Sequence, residues 1–231
     1  MIFNKIIESE DNHHFIRYNK EVNIIDLGYH DGSFEECIKD NFNSYQYIGV
    51  EANPIFKSRH KAKLFYYCIS KNSGEMVDFY LDEENTMASS QMFKNEKSRL
   101  IQVKTISLKD LYNLSKFQYV EILKVDIEGS EFEILNSENI KFLSNNTAQV
   151  IVEFDDWINP KLKPEKIKII NKFKENNFFY IKFSYFDSAK VLFLNKTFIK
   201  LGVIQCLYIY LFKYINGVKR FISRKIKSQK R

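Results

Sequence analysis

Short apolar runs alternate with amphipathic segments along most of the chain. Glu21–Leu27, Gln46–Glu51, Lys63–Ser70, Met76–Leu81, Glu121–Ile127 and Gln149–Phe154 are rich in branched and aromatic side chains. Near-continuous apolar runs of this length predict strands buried on both faces. Gln102–Ser107 alternates as a half-exposed strand does. Helical spacing recurs from Ser33 to about Asn41, over Leu108–Leu114 and over Pro164–Asn176. Ser33 with Glu36 fits a capping box, and Asn53-Pro54 predicts a further helix, with Asn as cap and Pro in the first turn. Asn72-Ser-Gly74 predicts a turn that pairs Met76–Leu81 beside Lys63–Ser70. Phe178–Ser184 and Lys190–Leu194 predict a closing antiparallel hairpin. The alternation as a whole predicts an α/β domain with an open, mostly parallel, twisted sheet, right-handed crossovers and a strand insertion ahead of the Glu121–Ile127 strand. Residues 1–21 read as a polar lead-in with His13 and His14 solvated, and residues 82–99 as a long functional loop.

The chemistry starts at Asn23-Ile-Ile-Asp-Leu-Gly-Tyr-His-Asp-Gly-Ser-Phe34. An apolar strand runs through Asp26 into a loop with Gly28 and Gly32, and a helix opens at Ser33, which is the first half-unit of a nucleotide-binding α/β domain. The dinucleotide fingerprint G-x-G-x-x-G needs a second glycine where this chain has His30. The spacing is D-x-G-x-x-x-G instead, which suits a ligand without a pyrophosphate. The next strand ends at Glu51, where a carboxylate can accept both ribose hydroxyls. Together these favour S-adenosylmethionine.

Composition narrows the class. The 231 residues suffice for one full α/β core. Cys37, Cys68 and Cys206 are widely separated, which argues against a zinc site or disulfide framework and suits a reducing, cytoplasmic compartment. No apolar leader opens the chain. The formal net charge of +6 is unevenly placed: beyond Asp187 lie eleven bases and no acid, while residues 1–187 carry 24 bases against 29 acids, a net −5. An acidic body argues against a nucleic-acid-binding face.

Leu123-Lys-Val-Asp-Ile-Glu-Gly-Ser-Glu131 resembles the Lys-x-Asp-x-Glu-Gly-x-Glu signature of FkbM-type methyltransferases. The glycine loop, Gly49-Val-Glu-Ala-Asn-Pro54 and Ser89-Ser90 follow in the order that family uses, so the similarity spans roughly residues 22 to 155. The chain departs from the family in Tyr29-His30-Asp31, where small residues are usual, and in Ala52, where Pro is frequent. The resemblance implies a Rossmann-like class I methyltransferase fold over residues 1–195 and an S-adenosylmethionine-dependent O-methyltransferase acting on a hydroxyl of a sugar or glycan-related metabolite. It implies a donor site formed by Asp26, Gly28, Tyr29, Gly32, Glu51, Ala52, Ser70 and Asp126. Ser89, Ser90 and Glu131 would contact substrate.

Transfer to a hydroxyl needs alignment and removal of a proton. Asp126, Glu128 and Glu153 are the expected catalytic carboxylates, because crowded acids raise one pKa into the range of a base. The same cluster could hold Mg²⁺ or Ca²⁺; the metal-free version is preferred. His30 is a further candidate base. Lys124 reads as a buried ion-pair partner of Glu153 or Glu51, Glu133 as a helix-dipole partner, and Trp157 as a packing residue. The rivals are an RNA or protein methyltransferase gripping a polyanion through its tail, and an inactive membrane-attached scaffold. No Asn/Asp-Pro-Pro-Tyr segment follows the central strand, which counts against transfer to a base nitrogen.

Residues 196–231 form a separate tail. Leu201–Ile215 is almost wholly apolar, yet as a helix it would reach only about 22 Å, short of a bilayer core of roughly 30 Å. Beyond it, Ile215, Val218, Phe221, Ile222 and Ile226 share a helical face, with Lys219, Arg220, Arg224 and Lys227 mostly opposite. This fits a helix lying on an anionic membrane surface at the inner face of a membrane, and equally a last core helix with a basic end.

Overall fold

The computed structural model describes residues 5–18, 20–82, 98–156, 159–183 and 189–228. A seven-stranded sheet organises it. Its first four strands in the chain are β3 (Val22–Leu27), β4 (Tyr45–Val50), β5 (Lys63–Phe65) and β9 (Val120–Val125), and β10 (Thr147–Glu153), β11 (Phe178–Lys182) and β12 (Lys190–Asn195) complete it. The spatial order is β11-β12-β10-β9-β3-β4-β5. All pairings from β10 to β5 are parallel, and β12 runs antiparallel to both of its neighbours. The mostly parallel sheet and the closing hairpin follow the sequence expectation.

Successive residues of the central strands feed opposite layers, as a period of two requires. Ile25, Leu27, Leu123 and Val125 join the core beneath α2 (Leu108–Ser115), the short α3 (Glu131–Ile134), α4 (Ser137–Asn146) and α5 (Lys163–Glu175). Val22, Ile24 and Ile122 join the opposite core, with Phe34 and Ile38 of α1 (Ser33–Asn41) and Ile209 of α6 (Val203–Ser228). The strand order reverses between β3 and β9, a topological switch point, where ligands of such sheets bind beyond the carboxyl ends.

Several boundaries depart from the sequence reading. The segment read as a solvated lead-in is folded over its described residues 5–18: β1 (Lys5–Glu8) and β2 (His14–Arg17) form an antiparallel hairpin, and His13 and His14 are buried. The buried Gln149 explains the docking, since its side chain accepts from Ile16 N at 2.8 Å and donates to Ile16 O at 3.0 Å. Lys63–Ser70 is not one strand. It divides into β5 of the large sheet and β6 (Cys68–Ile69) of a separate three-stranded sheet. In that sheet β7 (Met76–Asp82) pairs with β8 (Ser98–Ile106), which lies between it and β6, and not with the Lys63–Ser70 segment.

No helix follows Asn53-Pro54. The amides that a helix would bond internally are taken elsewhere: Glu35 accepts from His60, Lys61 and Ala62, and the Tyr29 hydroxyl accepts from Arg59. Ser33 is not the cap of α1 either. Gly32 holds that position in a left-handed conformation, and the Ser33 hydroxyl donates to Asp11.

Candidate active site

The loop after β3 and the loop after β9 meet closely at the switch point. Gly28 has φ +82°, and a Cβ there would lie 1.7 Å from the Asp126 carbonyl oxygen, so only glycine lets the two loops touch. Gly32, with φ +78°, is pressed against the Tyr29 hydroxyl at 2.4 Å from an added Cβ. Both glycines therefore serve contacts within the protein. Tyr29 fills the space between them, buried, with its hydroxyl donating to Glu35 Oε2 at 2.5 Å. That contact explains the tyrosine where small residues were expected.

A cavity of about 420 Å³ opens above these strand ends, within the range of small-ligand sites. Gly28, Tyr29, Glu51, Ala52, Asp126, Glu128 and Glu153 line it, joined by His13, His30, Asp155 and Lys190. One part of the wall is apolar, with Phe56, Cys68, Ile69 and Phe79. Glu51 is held by nearby backbone. Its Oε2 accepts from His30 N at 2.9 Å and its Oε1 from Asn53 N at 2.8 Å. A carboxylate offers about four lone-pair sites, so two remain for hydroxyl donors. Burial raises its pKa, against the pull of those two amides.

Four expected site residues stand elsewhere. Asp26 is fully buried beneath the loop and does not line the cavity; its Oδ2 accepts from Tyr47 at 2.6 Å, and its Oδ1 lies 3.2 Å from Lys124 Nζ. Burial raises its pKa, partly offset by Lys124 and Tyr47. Gly32 packs on Tyr29, and Ser70 does not line the cavity, whereas Cys68 and Ile69 of β6 do. Glu131 is also fully buried, with Oε2 accepting from Gly129 N at 2.8 Å and Oε1 from Asp155 N at 2.9 Å. It braces the ends of β9 and β10 and does not line the cavity. Ser89, Ser90 and Trp157 lie outside the described residues.

Lys124 reaches neither Glu51 nor Glu153. Its ammonium spans Asp26 Oδ1, Asp126 Oδ2 at 3.0 Å and the Gly28 carbonyl at 3.0 Å. The cation thus locks β3, β9 and the glycine loop together. Burial opposes charge at Asp126, yet Lys124, His13 and Lys190 outweigh it and hold that carboxyl below the usual range. Glu128 behaves oppositely. Burial first, then Asp155, Asp126, Glu153 and Glu131, push it up to about 8. Its backbone has φ +52°, a conformation that costs a non-glycine residue about 1–3 kcal/mol and collects at functional sites.

His13 enters the site from the turn of the β1–β2 hairpin. Its Nε2 lies 3.3 Å from Glu153 Oε2 and 3.6 Å from Asp126 Oδ2. These three residues can offer ligand atoms within 4.8 Å of one another. The same two oxygens, however, already face Lys190 Nζ at 2.9 Å and Lys124 Nζ at 3.0 Å, so ammonium groups neutralise the pair. His13 was missed in the sequence because its hairpin is short. The apolar pairs Ile6-Ile7 and Phe15-Ile16 on either side of Asp11-Asn12 were the available signal. His30 is engaged with the other acid: its amide donates to Glu51, and its ring lies 4.4 Å from that of Phe56.

No curated protein matches the chain. Residues 26–180 match the family described as the methyltransferase FkbM domain, from the acid of the glycine loop through α5 into β11. That match covers well over half of the sequence, and the chain belongs to the FkbM methyltransferase family.

Proposed function

We propose that the protein is an S-adenosylmethionine-dependent O-methyltransferase whose acceptor is a hydroxyl of a sugar or a related polyol metabolite. The observation that carries this reading is one cavity with two chemically distinct parts. The first joins Glu51, with lone pairs to spare, to an apolar wall at Phe56, Ile69 and Phe79, which suits a ribose and a flat heteroaromatic ring. The second is the acidic group Asp126, Glu128, Glu153 and Asp155. The loop lacks the second glycine of a dinucleotide site and carries His30 there, against Phe56.

S-adenosylmethionine supplies an electrophilic methyl group on a sulfonium. The protein's own part is to hold an acceptor hydroxyl in line and take its proton. Glu128 is the base, because its raised pKa matches proton transfer near neutrality. Asp126 remains ionised beside Lys124 and accepts from a neighbouring hydroxyl of the polyol, since the one proton of the reacting hydroxyl goes to Glu128. Glu153, fixed by Lys190, orients a second one. Carboxylates that bind neighbouring hydroxyls favour a polyol over an isolated alcohol.

The test is calorimetric titration of the purified protein with S-adenosylmethionine and, separately, with NAD, followed by labelled-methyl transfer to a panel of sugars and sugar nucleotides. Micromolar binding of the first ligand with transfer to a hydroxyl is expected. Binding of NAD in its place, or transfer to RNA or protein, overturns the reading, and binding with no transfer to any acceptor class points to an inactive scaffold.

A further inference from the structure

We infer that α6 docks the protein on an anionic phospholipid surface, with its inner face on the domain and its outer face on lipid. The helix runs 26 residues, Val203–Ser228, about 39 Å at the usual rise. Its inner face is narrow. Ile209 is buried, Phe212 packs against the same core, and Asn216 Nδ2 donates to Glu8 Oε2 at 3.1 Å. The outer face should be polar if water covered it. Instead Ile204 (79%), Leu207 (58%), Leu211 (59%), Tyr214 (66%) and Val218 (57%) stand exposed at helical spacing. Such a contiguous stripe marks an interaction surface.

The charge decides what covers it. From Lys190 onward the chain carries eleven bases and no acid, and Lys219, Arg220, Arg224, Lys225 and Lys227 follow the stripe within the same helix. A second copy of the helix would bring like charges together with no acid to offset them. An anionic bilayer satisfies both features, because apolar burial and attraction to lipid headgroups act together in surface helices. The exposed rings of Tyr210 and Tyr214 suit the headgroup level. No helix among the described residues is long and apolar enough to cross a membrane, so the helix lies in the plane of the surface.

This contact also reaches the site. Asn216 holds Glu8 of β1, His14 of β2 lies with its ring 6.3 Å from that of Phe212, and the adjoining His13 is in the cavity wall. A lipid-bound α6 would thus set the cavity beside the membrane and suit an acceptor presented there.

The experiment is flotation of the full chain with phosphatidylcholine vesicles, alone and with about one-third phosphatidylglycerol. The comparison is the Leu207→Ser, Leu211→Ser, Ile215→Ser variant, whose changes fall on exposed positions. Wild type is expected to float with the anionic vesicles only, and the bound fraction to fall at least about tenfold in the variant and in high salt. Equal flotation of variant and wild type, binding only to neutral vesicles, or a wild-type dimer by light scattering that ignores vesicles would each overturn the inference. S-adenosylmethionine titration of the variant reports the cavity separately, so loss of vesicle binding with donor binding intact isolates the helix.

Discussion

Lys124 Nζ lies 3.2 Å from Asp26 Oδ1 across the switch point between β9 and β3. Both side chains are almost wholly buried. Removing one partner of such a pair strands the other charge, at a cost of about 3–5 kcal/mol. Lys124→Met is therefore expected to destabilise the fold by that amount in chemical denaturation. The double variant Lys124→Met, Asp26→Asn should recover part of the loss, because the amide oxygen that replaces the carboxylate still accepts from Tyr47 and carries no charge. A double variant no better than Lys124→Met would show that the pair is not coupled.

Glu128 should control the pH dependence of catalysis. A base whose pKa stands at about 8 in the ligand-free protein is protonated in acid, so kcat/KM should rise with pH and level off above that value. Glu128→Gln should lower kcat by about 10²–10⁴-fold, with donor affinity changed little. A flat profile between pH about 6 and about 9 in wild type would remove Glu128 from the role.

Glu51→Ala should weaken S-adenosylmethionine binding by at least about tenfold, since two charge-assisted hydrogen bonds to a ligand are each worth more than about 1.5 kcal/mol. The alanine also frees the His30 and Asn53 amides, so some loss of melting temperature should accompany it. Glu51→Gln retains an acceptor for one amide and should bind between the two. Calorimetry reads the affinity directly, and undiminished binding by Glu51→Ala would move the donor elsewhere in the cavity.

Glu131 links stability to pH. Burial first, and the Asp155 carboxylate after it, push its pKa from 4.5 to about 8, despite the amides that stabilise its charge. A group raised on folding contributes stability that is fully present below its unfolded pKa and is lost as pH rises through its folded one. The melting temperature should thus decline between pH about 5 and about 9. Glu131→Gln should be less stable in acid by about 1–3 kcal/mol, through one badly paired amide, and should show a shallower decline.

The sequence alone determined the central strands, the order in which strand and helix alternate, the family and the carboxylates Asp126, Glu128 and Glu153 of the cavity. These rest on local chemistry: runs such as Val22–Leu27 must be buried on both sides, and the motif residues sit at strand ends by their spacing. Only the tertiary structure decided which strand-end acids face the cavity. Asp26 and Glu131 look like site residues in the chain, but Lys124 and two backbone amides claim them in the fold. His13 and Lys190 reach the cavity from opposite ends of the sequence. The hairpin that brings His13 is held by Gln149, 133 residues away from Ile16, and no periodicity within the hairpin records that partner. Hydrophobic spacing encodes how much of a segment is buried, whereas the neighbour it is buried against is settled when distant segments compete for the same hydrogen bonds.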